Sequence, residues 1–232
     1  MKKFFAVLLL VCAFGAVNAQ NLQVHYDMGE DRNYVTTTLE MFKPDQWGST
    51  FFFVDFDYNT EVGNSVSLAY LEISRALKFW DSPFALQVEY NGGFGQFAPG
   101  YAFPINDAWL TGAQYTWNTS DYSRIFTLQG LYKNIKDKES ASFQVTGVWT
   151  VQLLEGAVTF SGFADFWKEG MEWYEGPEGA VVTKTDFVFL TEPQIWYNAS
   201  KHLSLGGEVE IGNNFTAKGF KVCPTLAVKW TF

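Results

Sequence analysis

The segment Lys221-Val222-Cys223-Pro224-Thr225-Leu226-Ala227-Val228-Lys229-Trp230-Thr231-Phe232 alternates along its whole length. Val222, Pro224, Leu226, Val228, Trp230 and Phe232 share one side, while Lys221, Cys223, Thr225, Ala227, Lys229 and Thr231 share the other. Successive strand side chains point to opposite faces, so this is a strand with one apolar and one wet face. It stops on an aromatic residue, with its lysines opposite the aromatics, which is the pattern of the strand that closes a bacterial outer-membrane barrel.

The opening residues supply the matching address. Lys2 and Lys3 form a positive n-region, Phe4 to Ala16 an apolar run, and Val17-Asn18-Ala19 a small-residue cleavage pattern. A signal peptide over 1–19 and an outer-membrane β-barrel over 20–232 are expected. Cys12 follows Val11, where a lipid-anchored signal needs a small residue, so it should leave with the signal. Cys223 is then the single mature cysteine, which excludes an intramolecular disulfide.

Composition narrows the class further. The formal charge is −9, and the signal removes two lysines and no acid, so the mature chain is more acidic still. That balance excludes nucleic acid as a partner, because nucleic-acid binding needs a basic footprint. Nothing after residue 19 approaches the ~20 unbroken apolar residues of a membrane helix. Aromatics nevertheless make up 19% of the chain. Abundant aromatics without an apolar run suit a transmembrane barrel, in which lipid-facing residues alternate with lumen residues.

Twelve strands are predicted: Leu22–Met28, Tyr34–Phe42, Thr50–Tyr58, Ser65–Leu77, Phe84–Phe94, Asn106–Trp117, Ser123–Lys133, Ser142–Leu154, Ala157–Trp167, Phe187–Asn198, Leu203–Gly212 and Phe220–Phe232. In the eighth, Phe143, Val145, Trp149, Val151 and Leu153 face lipid, against Ser142, Gln144, Thr146, Thr150 and Gln152. The fifth and eleventh alternate as cleanly; the second, fourth and sixth do not fix their own parity. Numbering the connections in order, the even ones are short. The odd ones include long segments at Gly95–Ile105 and Lys168–Asp186, as expected for periplasmic turns and external loops. The fold class is thus all-β, a closed antiparallel transmembrane β-barrel of about twelve strands.

This parity gathers His25, Asp27, Glu40, Asp55, Asp57, Glu72, Glu89, Asp165, Glu192, Glu208 and Glu210 in the lumen, against Arg75, Lys133, Lys221 and Lys229. Charges in a narrow lumen must be paired or hydrated. They read equally as a structural ion network and as an acidic conduit. Glu72 and Arg75, three apart, share a face only if a bulge near Ser74 intervenes; otherwise Arg75 sits at a rim. Phe51 and Phe53 lie in the row of Asp55 and Asp57, either as packing or as a stacking surface for planar solutes. No catalytic constellation is marked. Two mature histidines and one cysteine without ligand spacing give no metal site, and no cofactor is expected. Glu169, Glu172, Glu175 and Glu178 lack the alternating ligands of a calcium loop and read as solvated surface.

Several segments resemble the nucleoside-specific channel-forming, Tsx-like porins, in the same order along nearly the whole mature chain. They are Trp47-Gly48-Ser49-Thr50-Phe51-Phe52-Phe53-Val54-Asp55, Glu72-Ile73-Ser74-Arg75, Phe160-Ser161-Gly162-Phe163-Ala164-Asp165-Phe166, Leu190-Thr191-Glu192-Pro193-Gln194-Ile195-Trp196-Tyr197, Leu205-Gly206-Gly207-Glu208, Asn213-Asn214-Phe215 and Val228-Lys229-Trp230-Thr231-Phe232. The resemblance, to a distant branch, implies a twelve-stranded monomer whose narrow lumen passes nucleosides. Phe51, Phe53 and Asp55 would form its aromatic–acid motif, Glu72 and Arg75 the next acid and base, and Asp165, Glu192 and Glu208 later acids. Ser49 departs from the acid usual there, and a proline common before the arginine is missing.

The expected function is an outer-membrane channel for small polar solutes. Its lumen site would be Phe51, Phe53, Asp55, Asp57, Glu72, Arg75, Glu89, Asp165, Glu192, Glu208, Glu210 and Lys229. Its partners would be outer-membrane lipid, a small-molecule solute and, through the last strand, the barrel-assembly machinery. A barrel enzyme acting at the rim on lipid or peptide and a non-conducting structural barrel are the alternatives.

Overall fold

The computed structural model describes residues 20–63, 65–138, 142–175 and 181–232; the expected signal peptide lies outside them. Its strands are β1 (Gln20–Asp27), β2 (Val35–Asp45), β3 (Gly48–Asp57), β4 (Leu68–Leu77), β5 (Phe84–Ala98), β6 (Tyr101–Asn118), β7 (Arg124–Ile135), β8 (Ser142–Leu153), β9 (Val158–Glu175), β10 (Val181–Thr191), β11 (Gln194–Asn198), β12 (Leu203–Asn213) and β13 (Phe220–Thr231). All pairings are antiparallel and run between neighbours in sequence except at β10 and β11, which each lie between β9 and β12; β13 returns to β1, from Asn21 opposite Thr231 to Asp27 opposite Thr225. The sheet is therefore closed, which leaves no edge.

β10 and β11 are two lengths of one barrel strand, since both pair with β9 on one side and with β12 on the other. The barrel thus has twelve strands. The predicted tenth strand is interrupted at Glu192-Pro193, because proline has no N–H to give the ladder. The flanking groups are still satisfied: Glu192 N donates to Phe163 O, and Val209 N to Pro193 O. Gly162, with φ of 150°, makes room for the break, since a Cβ there would fall 2.4 Å from the Glu192 carbonyl oxygen.

Alternation sorts the side chains as the sequence requires. On β1, Leu22, Val24 and Tyr26 are exposed while Gln23, His25 and Asp27 are buried. On β8, Phe143 and Val145 are exposed while Ser142, Gln144 and Thr146 are buried. On β13, Val222, Leu226, Val228 and Trp230 look outward, and Cys223 and Ala227 inward. The outer belt carries ring pairs such as Phe84–Tyr115, Trp117–Phe126 and Phe166–Phe187. An apolar surface this continuous needs a hydrocarbon neighbour rather than water.

The two predicted long loops are corrected. Gly95–Ile105 is largely ladder, with β5 and β6 meeting at a turn at 99–100, and Lys168–Asp186 is largely the far half of β9 and β10. Both pairs continue past the belt because antiparallel pairing satisfies their backbone groups without outside help. Of the acidic run there, Glu169 pairs with Lys138 at 3.2 Å and Glu172 with Lys184 at 2.7 Å, while Glu178 lies outside the described residues. At the opposite end the turns are short. In the one between β6 and β7, hydrogen bonding to Thr119 and Ser123 holds the Asp121 carboxyl down at about 2.

Candidate functional site

Registered pairs put residues of neighbouring strands side by side, so the lumen can be read in rows. One row runs Glu40, Phe53, Glu72, Asn91 across β2 to β5; the next runs Thr38, Asp55, Tyr70, Gly93. A third joins Phe51, Ser74 and Glu89. The Phe51 and Phe53 rings lie 6.0 Å apart, and Phe53 and Tyr70 5.8 Å apart. A continuous aromatic wall therefore stands among carboxylates. Thr36 donates to Asp57 at 2.7 Å and Thr38 to Asp55 at 2.6 Å, while Asn21 donates to Glu40 at 2.9 Å. These bonds set the parity of β2, and Tyr70 beside Glu72 sets that of β4. The lumen face of β2 to β4 is half-buried almost throughout, so water reaches it.

The facing arc, β5 to β8, is filled. Gln87, Glu89, Leu110, Leu131, Lys133, Gln144 and Thr146 are all buried. Gln87 donates to Glu89 and to Gln129; Lys133 donates to Gln144 at 2.8 Å, and Thr146 donates to Asp165. Ala108, Leu110, Leu131 and Ile135 add an apolar patch to this side. Lys133 also sits 4.4 Å from the Trp167 ring centroid.

A second filled cluster joins β11 to β13 with β1. Trp196, fully buried, carries Lys229 Nζ 3.8 Å above its ring and meets His25 edge-on at 6.0 Å. Its Nε1 donates to Gln194, which donates to Glu208 at 2.9 Å. His25 spans the Thr225 hydroxyl at 2.9 Å and Gln23 Oε1 at 3.0 Å. Beyond this cluster, Arg32 reaches in from the connection between β1 and β2. It grips Glu210 with both terminal nitrogens, at 2.7 and 3.1 Å, and Asp27 at 3.0 Å.

The structure brings together most of the predicted lumen residues. Phe51, Phe53, Asp55, Asp57 and Glu72 line the half-buried arc. Asp165, Glu192, Glu208 and Glu210 face it within electrostatic reach of one another. Glu89 and Lys229 belong to the filled clusters. Arg75 is the correction. β3 and β4 pair without a register shift, so no bulge turns it inward. It lies on the outer face at the rim, bonded to Asp45 at 2.6 and 2.9 Å and to Thr50 at 3.0 Å. Tyr70, Trp167, Trp196 and Arg32 were missed. Tyr70 was readable once the parity of Glu72 was fixed, two residues on, whereas Arg32 is in a connection with no periodicity to read.

Among solved structures, a KdgM porin aligns at a TM-score of 0.50 and 11% identity, over 92% of this chain and 99% of that one. Omp33, an outer membrane protein of Acinetobacter baumannii, aligns at 0.43 and 12%, over 92% and 96%. The first likeness shows the barrel fold. No curated protein matches. A family model described as "Domain of unknown function (DUF5020)" matches residues 19–232.

Proposed function

The chain belongs to the DUF5020 family, and for this member we propose an outer-membrane channel that passes small polar solutes along the half-buried arc of β2 to β4. The observation that carries the reading is the state of that arc: polar, acidic and aromatic, and reached by water, inside a barrel whose outer face is apolar. Weak contacts in series admit a solute and release it. Phe51, Phe53 and Tyr70 offer ring faces to a planar solute, and Asp55, Asp57 and Glu72 accept hydrogen bonds from its hydroxyl or amino groups.

Nucleosides have both features, and the Tsx-like motifs favour them. The outer membrane is proposed from the expected signal peptide, the outer belt and the outer-membrane barrels it resembles. Export would end with recognition of the last strand by the assembly machinery, and the working unit is a monomer. Conductance of the purified protein in planar bilayers, with and without adenosine, tests the reading. Discrete openings that adenosine occludes, with relief in Phe53→Ala, are expected. A folded barrel that never conducts would leave a structural role.

A further inference from the structure

Among the described residues, two aromatic groups of the lumen already carry a cation. Lys229 lies over Trp196 and Lys133 over Trp167, and these are the two cation–π contacts among the described residues. The group of Phe51, Phe53 and Tyr70 has no such contact there, although carboxylates stand on both sides of it. Phe53 is flanked directly by Glu40 on β2 and Glu72 on β4. Asp55 pairs with Tyr70, whose hydroxyl is 3.4 Å from Glu72.

One buried group independently asks for a donor. Glu89 is 3% exposed; its Oε2 accepts from Gln87 at 2.9 Å, but its Oε1 has no hydrogen-bond partner. It shares the row of Phe51 and lies within electrostatic reach of Glu72, of Asp165 and of Lys133, whose ammonium donates to Gln144 rather than to it. A buried carboxylate oxygen left unpaired is costly, and a cationic donor relieves it best.

We propose that the Phe51–Phe53–Tyr70 wall, with Glu40, Glu72 and Glu89 beside it, is a binding site for solutes that carry an ammonium group on an aromatic body. The ring faces hold the body and the cation, as the two tryptophans hold the chain's own lysines, and the carboxylates take the ammonium hydrogens. The inference rests on the channel reading for access to the site, and it narrows the solute class.

Three indoles separate charge from ring: tryptamine, tryptophol and indole-3-acetate. n-Butylamine separates ring from charge. In planar bilayers tryptamine should block ion current at roughly one-tenth the concentration needed for tryptophol or n-butylamine, with indole-3-acetate weakest. Phe53→Ala and the near-isosteric Glu72→Gln should each shrink that advantage to about threefold or less. Tryptophol matching tryptamine in a conducting wild-type protein would overturn the site and leave the channel. So would n-butylamine matching it, because a generally acidic lumen then suffices. Calorimetric titration of the detergent-purified barrel covers a protein that does not conduct. The same order of affinities there supports the site while the channel reading fails, and binding without that order overturns it.

Discussion

The lumen faces of β2 to β4 and of β5 to β8 obey the same two-residue alternation but fill their space differently. On β5 to β8 the inward residues are long: Gln87, Leu110, Leu131, Lys133 and Gln144 are buried together, with Glu89 at the border beside Ser74. On β2 to β4 short residues such as Thr36, Thr38, Asp55 and Asp57 are satisfied by the strand alongside, and the rings stand between them. Alternation decides which residues face inward, whereas side-chain reach decides whether the inside is closed. A barrel of this width can therefore be filled along one arc and leave its side chains half-exposed along the other, the arc proposed as the passage.

The largest expected effect lies on the filled arc. Lys133→Ala removes the cation that donates to Gln144 and faces Asp165, Glu72 and Glu89. Breaking a buried charge network of this kind should cost about 3–5 kcal/mol in urea unfolding from detergent or bilayer. A loss as small as that of an exposed lysine would mean the arc is wet.

Next comes the contrast of inside and outside. Val145→Lys, on the belt of β8, should cost roughly 2–4 kcal/mol near the midplane. Thr38→Lys, beside Asp55 on the passable arc, should cost clearly less and lower cation conductance. Equal costs would mean the two faces are misassigned.

A smaller change follows on the passable arc itself. Phe53→Ala buries less than a core truncation, so its stability loss should stay near ~1–2 kcal/mol. A planar solute's binding should fall by roughly 1–3 kcal/mol through lost stacking. A solute whose binding ignores the change would take Phe53 out of the passage.

The smallest effect belongs to the rim. Arg75→Ala removes an exposed pair with Asp45, so conductance and ion selectivity should be unchanged in bilayer recordings. A shift in selectivity would bring Arg75 back into the passage.

Much of this was legible in the sequence, for reasons that differ along the chain. Strands with polar residues on one face and apolar on the other, such as β8 and β13, announce both their existence and their parity. β6 does not, because Leu110 faces the lumen while Trp109 faces outward, and apolar residues on both faces erase the signal. The tenth strand reads as continuous over Phe187–Asn198, and its interruption at Pro193 and resumption beyond it are seen only from the paired β9 and β12. The extensions of β5 and β6 were hidden by Gly95 and Gly100, which read as a loop in isolation. Within the site, the row Phe51, Phe53, Asp55, Asp57 was readable from one strand. The partners that plug the lumen, Trp196 with Lys229 and Arg32 with Glu210, come from strands and connections brought together by the closure of the barrel and required the fold.

Cysteine accessibility tests the two-arc account most directly. The native Cys223 is fully buried and is replaced by serine to clear the background. Single cysteines at Thr38 and Ser74 on one arc, and at Gln87 and Gln144 on the other, are then exposed to a charged methanethiosulfonate reagent in the folded barrel. Rapid modification at Thr38 and Ser74, with protection at Gln87 and Gln144, is the predicted result. Equal modification of all four, or of none, would contradict a passage confined to β2 to β4.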